Sequence, residues 1–253
     1  MTGRSGYTVG GDEIREESSW RYPLLIFFIT LVLCVVVLYH YVGPDVDDLQ
    51  GLTPKPTVSD DRTVITVGDV SFSVPANYTV YPRDRRPGER EALSLYASWP
   101  RMDGYTPARR ADFVENRADA PRIDIVIEKR NLPLSEADRL ELLYRPQAIE
   151  REGVPAAHDL TRFTFPAGTP TNPASGYVDK EMLLGTAEDG KQAILFCYKD
   201  TGDKIVPPDC YRQYELTEGV SVKYYFKRPY LPEWREIDTK VRRFVADLAG
   251  GQG

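Results

Sequence analysis

Four arginines, Arg83, Arg85, Arg86 and Arg90, crowd one short segment around Pro82 and Pro87. Guanidinium forks at that density can hold a carboxylate or a phosphate, on a partner protein or on a lipid headgroup. Asp84 and Glu89 dilute the charge, so a solvated loop is the competing reading. His158 is the only histidine outside an apolar run near the amino terminus, and Asp159 follows it directly. A hydrolase could use such a histidine as general base for a serine. Sequence neighbours do not orient one another in that way, and no serine stands in a Gly-x-Ser-x-Gly elbow. An ordinary surface or half-buried histidine is therefore expected. Cys197 and Cys210 are the other reactive pair, with twelve residues between them. They fall on consecutive candidate strands, and an oxidising compartment would let them form a disulfide.

Metal and cofactor chemistry finds no support. One histidine and two cysteines cannot supply a familiar zinc set, and no acidic loop has the spacing of a calcium site. No pair of carboxylates stands out for acid-base work. Asn77, Tyr78 and Thr79 match the glycosylation sequon, which matters only in a eukaryotic secretory pathway.

The chain has 38 acidic and 32 basic residues, a net charge of −6. That sign gives no general drive toward phosphate backbones, so nucleic acid is not an expected partner. Residues 24–39 carry no charge, and with their flanks the run over 22–42 reaches the ~20 residues that cross a bilayer. Trp20 and Tyr22 at one end, and Tyr39, His40 and Tyr41 at the other, suit the headgroup layers. Arg4, Arg15 and Arg21 precede the run, whereas Asp45, Asp47 and Asp48 follow it. Basic flanks stay inside, so residues 1–21 are expected as a cytoplasmic stub and the rest as extracytoplasmic. A cleaved signal peptide is the rival, but small residues at an A-x-A spacing are missing after the run. A lipoprotein signal at Cys34 is disfavoured by bulky Leu33 before it and by the apolar residues that continue past it.

Residues 43–61, with Pro44, Pro54 and Pro56 among polar groups, read as a linker. Beyond it, Val64–Val67 and Val70–Val74 alternate around Gly68 and Asp69, the signature of a tight hairpin. Ile123, Ile125 and Ile127 place one face of a strand in a core. Residues 92–97 and 160–165 are further strand candidates. Runs at 178–185, 192–199, 210–216 and 220–227, parted by turn residues, predict an antiparallel meander. In the last of them Val220, Val222, Tyr224 and Phe226 oppose Ser221, Lys223, Tyr225 and Lys227. Ser135 can cap a helix reaching about Tyr144, and a short helix is expected around 108–116. Trp234, Ile237, Val241, Val245 and Leu248 recur at helical spacing after Pro232, giving a closing amphipathic helix that ends at Gly250.

The expected fold is α+β: a single transmembrane helix, then residues 62–253 as a mainly antiparallel sheet packed by helices, with the amphipathic helix last. The opening strand that breaks at Pro75, the meander and the closing helix together resemble PsbP-like α/β/α sandwich domains. That resemblance is architectural; such domains mostly serve as non-enzymatic accessory modules, so it implies little about chemistry. The functional expectation is a protein-binding or scaffold domain on the periplasmic side of a bacterial inner membrane, possessing no cofactor. Its partners would be the lipid bilayer and other membrane or periplasmic proteins. The alternative is an anchored periplasmic hydrolase using His158 or a carboxylate pair.

Overall fold

The computed structural model describes residues 20–42, 45–130, 133–166, 177, 179–199 and 209–250. Residues 1–19 of the expected cytoplasmic stub lie outside them, as do residues 168–176, expected as loop, and the turn residues 201–204 between two strands of the expected meander. The chain forms two units that divide at Leu49 and Gln50.

In the first unit, α1 spans Arg21–Val42. It is apolar on every face, with a mean hydropathy of 2.7 in an 18-residue window within Arg21–Tyr41, and its 22 residues extend about 33 Å. Such a length matches the hydrocarbon layer. A short helix, α2 (Val46–Gln50), follows.

The second unit is built on two sheets. The hairpin β1 (Arg62–Val67) and β2 (Val70–Pro75) pairs Val67 with Val70, and Gly68 supplies the turn at φ +60°. A third strand, β3 (Gly88–Arg90), runs parallel to β1, giving the order β2-β1-β3. The large sheet contains β4 (Ala92–Ser98), β5 (Arg122–Lys129), β6 (Val154–Ala156), β7 (Leu160–Thr164), β8 (Lys180–Thr186), β9 (Gln192–Tyr198), β10 (Asp209–Thr217) and β11 (Val220–Lys227). Its order is β4-β5-β11-β10-β9-β8-β7-β6, antiparallel throughout.

Strand alternation then sorts the faces. Register places Leu95, Ile125, Tyr224, Arg212, Leu195 and Leu183 in one row across the sheet. That face, with its apolar neighbours, packs against β1, β2 and the helix α5 (Trp234–Gly250). Trp234, Ile237, Val241, Val245 and Leu248 are all buried there, as the helical spacing requires. Gly185 lets α5 approach: a Cβ on it would stand 2.5 Å from the Trp234 ring. The opposite face carries two smaller clusters. Tyr96, Tyr105 and Phe113 gather under α3 (Arg110–Val114) at one end. Leu140, Tyr144, Phe163, Met182, Ile194 and Phe196 gather under α4 (Glu136–Arg139) at the other. Ser135 caps α4 by accepting the Asp138 amide, and the chain continues as a π turn, Leu140–Tyr144.

Two segments are more ordered than their composition suggests. Residues 51–61 were expected as linker, yet they lie on the folded unit: the Lys55 amide donates to the Val80 carbonyl and the Gly51 carbonyl accepts from the Arg83 amide. Prolines exclude helix there but leave an extended strap free to bond to neighbours. The segment of four arginines, expected as an open loop, contains a 3-10 turn (Pro82–Arg85) and the strand β3.

Candidate functional site

Among the described residues, the second face of the large sheet is covered at both ends and open between them. At that opening three strands set aromatic rings side by side. Phe196 of β9 is the register partner of Tyr211 of β10, and Tyr211 is the partner of Tyr225 of β11. Their centroids lie 5.5 Å apart at each step, with Tyr177 stacked on Phe196 at 5.4 Å. Ring contacts of this kind, stacked at Phe196 and tilted at Tyr225, contribute roughly 0.5–1.5 kcal/mol per pair beyond area burial. Lys223 sits over two of the rings, its Nζ 4.4 Å from the Tyr211 centroid and 5.0 Å from that of Tyr225.

The π turn after α4 makes a wall above this floor. Between them lies a cleft of about 390 Å³ that Arg139, Leu143 and Tyr144 line from the wall and Gln213 and Lys223 from the floor. Pro133, Leu134 and Arg130 complete its rim. Arg139 donates through Nη2 to the Gln213 carbonyl at 3.2 Å, while its buried Nε has no hydrogen-bond partner. Arg130 pairs with Glu128 at 3.4 Å, and Glu128 also accepts from the Gln213 amide at 3.1 Å. Burial pushes the Tyr144 hydroxyl up to about 12 and raises Tyr211 as well. Both are neutral donors at physiological pH, so the cleft presents cations, phenols and apolar surface. A π turn at a cleft wall is a recurrent feature of functional sites.

Beneath the wall, the ladder between β9 and β10 closes only from Cys210–Cys197 to Arg212–Leu195. Glu136 enters where it opens. Its Oε1 accepts from the Ile194 amide at 2.7 Å and from Arg212 Nε at 3.1 Å, and its Oε2 from Arg212 Nη2 at 2.8 Å. Arg212 therefore fixes the start of α4 and with it the wall of the cleft.

The residues singled out in the sequence have other positions. Cys197 and Cys210 form the expected disulfide as direct register partners. Arg83 and Arg90 flank wholly buried Asp84, at 3.4 and 3.6 Å. Burial raises the Asp84 carboxyl despite the pull of both arginines. Arg85 donates to Thr79 Oγ1 and to the Lys55 carbonyl. Arg90 reaches the carbonyls of Arg83, Arg86 and Glu89. Arg85 thus ties the strap to the turn and Arg90 braces the turn itself, while Arg83 pairs with Asp84, and of the four only Arg86 is fully exposed. Thr79 of the sequon is buried as well.

His158 is exposed at the turn between β6 and β7, with φ +63°. Its carbonyl accepts from the Trp234 indole, and Asp159 pairs with Arg235 at 3.2 Å. The described residues lining the hollow beside it include no serine, threonine or cysteine. The structure does not bring His158 to the aromatic cleft. The cleft itself was legible only as the polar side of the last strand, where Lys223 and Tyr225 alternate with core residues.

No family model and no curated protein matches the sequence. Two solved structures are similar in fold. One is Smlt3025, an immunity protein of the Stenotrophomonas maltophilia type IV secretion system, 20% identical over 75% of this chain and 94% of its own, with a TM-score of 0.51. The other is the Neisseria meningitidis iron-regulated outer membrane lipoprotein FrpD, 14% identical over 78% and 96%, with a TM-score of 0.45. Neither is a PsbP-like domain, and at these identities the likeness is one of fold.

Proposed function

We propose that this chain is a membrane-anchored protein-binding domain that holds its partner on the extracytoplasmic side of a bacterial inner membrane. The observation that carries the reading is the open ring ladder with its cationic wall. Tyrosine and arginine are among the side chains that dominate protein interfaces. The apolar α1, basic residues before it and acidic residues after it support an anchor with the domain outside. The disulfide supports an oxidising compartment. Anchoring raises the local concentration of the domain for partners at the same membrane and does nothing for chemistry on a diffusing substrate. The experiment places a photo-crosslinking residue at Leu143, which lines the cleft, in the full chain in its native membrane. A covalent adduct to a protein is expected. Adducts to lipid alone, or none, would overturn the reading.

The fold likeness to a secretion-system immunity protein supports a narrower version, in which the partner is a secreted protein that the domain neutralises. Cells lacking the chain should then lose viability in contact with their parent strain. Unchanged survival would leave a scaffold role in its place.

A further inference from the structure

We infer that the cleft receives an acidic side chain of the partner protein between Lys223 and Arg139; this deepens the protein-binding reading above and rests on it. The cleft differs in charge from the rest of the chain. The chain carries a net charge of −6, yet three bases and no acid are among the described residues that line the cleft. Glu128, paired with Arg130 at 3.4 Å, offsets one of them, so two positive charges are left on an apolar bed. Surplus of one sign inside a low-dielectric hollow focuses the field on whatever enters it.

Both remaining cations are incompletely partnered among the described residues. Arg139 has spent one terminal nitrogen on the Gln213 carbonyl, and its Nε is buried without an acceptor. Its hydrogen-bonding capacity is therefore only partly met within the chain, and an acidic oxygen reaching its remaining terminal donors would add to it. Lys223 lies over the Tyr211 and Tyr225 rings and has no carboxylate within ion-pair distance among the described residues. Ring faces hold an ammonium in place but do not neutralise it, so a carboxylate remains its strongest complement.

The rings at the floor and Leu143 on the wall favour an acid flanked by apolar or aromatic groups. A volume of about 390 Å³ is small for a pocket and suits the side chains of a loop rather than a whole helix.

The test uses the full chain in lipid nanodiscs with its lysines carrying 13C-methyl groups, which preserve their charge. Lys223 lies over ring faces, so its resonance should be shifted by ring currents, and its disappearance in Lys223→Arg assigns it. The probes are end-capped hexaglutamate, its hexaglutamine counterpart and acetate. Hexaglutamate should move the Lys223 resonance, hexaglutamine should not, and Arg139→Gln should weaken the glutamate response about tenfold. Arg86→Gln, exposed and outside the cleft, should leave it unchanged. Equal responses to both peptides, no response to any probe, or acetate acting as strongly at equal carboxylate concentration would overturn the inference; the last would indicate a free-anion site. If the probes fail while the protein adduct at Leu143 persists, only this inference falls. Loss of that adduct removes the protein-binding reading as well.

Discussion

Arg212 Nη1 stands 2.7 Å from Asp238 Oδ1, and the same guanidinium is bound bidentately by Glu136. One buried arginine in the sheet thus joins α5 on one face to α4 on the other. Its charged form is held firmly, because the two carboxylates outweigh the cost of burying it, which alone would lower its pKa. Tyr224 donates to the same Asp238 oxygen at 2.9 Å, and Arg242 pairs with the other at 3.1 Å. The network couples the closing helix to the cleft wall.

Removing the arginine should therefore be severe. Arg212→Met takes their shared cation from Glu136 and from Asp238, whose side chain is 2% exposed. Breaking a buried pair by deleting one partner costs about 3–5 kcal/mol. Replacing Glu136, Arg212 and Asp238 together by apolar residues of similar volume should recover most of that loss. Chemical denaturation of the purified variants measures both, and equal stability of Arg212→Met and the parent would refute the role assigned to the network.

The disulfide yields a second expectation. Cys197 and Cys210 are fully buried, so reductant should not open the bond in the folded protein, whereas unfolding should expose it. The bridge spans a sequence separation of 13 residues. Closing a loop of that length is worth roughly 3 kcal/mol in the chain-entropy picture. The double replacement by serine should lower stability by about that amount. Thiol titration before and after denaturation gives the direct check: two free thiols beyond Cys34 in unreduced, unfolded protein would exclude the bond.

The arginine cluster makes a third. Arg85 links Thr79 on the folded unit to the Lys55 carbonyl on the strap. Arg85→Ala should loosen that strap, so the Lys55 amide, which donates to Val80, should exchange with solvent faster. Arg86→Ala should change exchange little, since exposed substitutions usually shift stability by less than about 0.5 kcal/mol. Equal protection of Lys55 in the two variants would show that the fork does not hold the strap.

These residues also show what the sequence could reveal. Hairpin, meander and closing helix were readable because period-2 and period-3.6 patterns report directly on which side chains must be buried. Ile123, Ile125 and Ile127 are one case and the α5 apolar stripe another. The contacts of Arg85 and Arg90 were not legible, because composition cannot distinguish a fork aimed at solvent from one that donates to backbone carbonyls. That depends on where Lys55 and Thr79 come to lie, and both are set by tertiary packing. The cleft was hidden for a related reason. Phe196, Tyr211 and Tyr225 align only after three strands adopt their register, and Arg139 joins them from a helix more than fifty residues away from the nearest of these rings.

The buried phenols supply the pH-dependent prediction. Desolvation holds the Tyr96 and Tyr144 hydroxyls neutral up to about 12, against an ordinary value of 10.0. An acid that ionises later in the folded chain than in the unfolded one favours the unfolded chain as pH rises between the two values. Stability from these groups is therefore level below about pH 10 and should fall steadily from there toward pH 12. The double variant Tyr96→Phe, Tyr144→Phe removes both titrations, so its stability should decline less steeply over the same interval, even if its value at neutral pH is lower. Tyrosinate absorbance provides the independent readout: in folded protein part of it should lag behind the curve of the denatured chain. Coincident absorbance curves, or identical slopes of stability against pH for the variant and the parent between pH 10 and 12, would show that neither phenol is shielded as the packing implies.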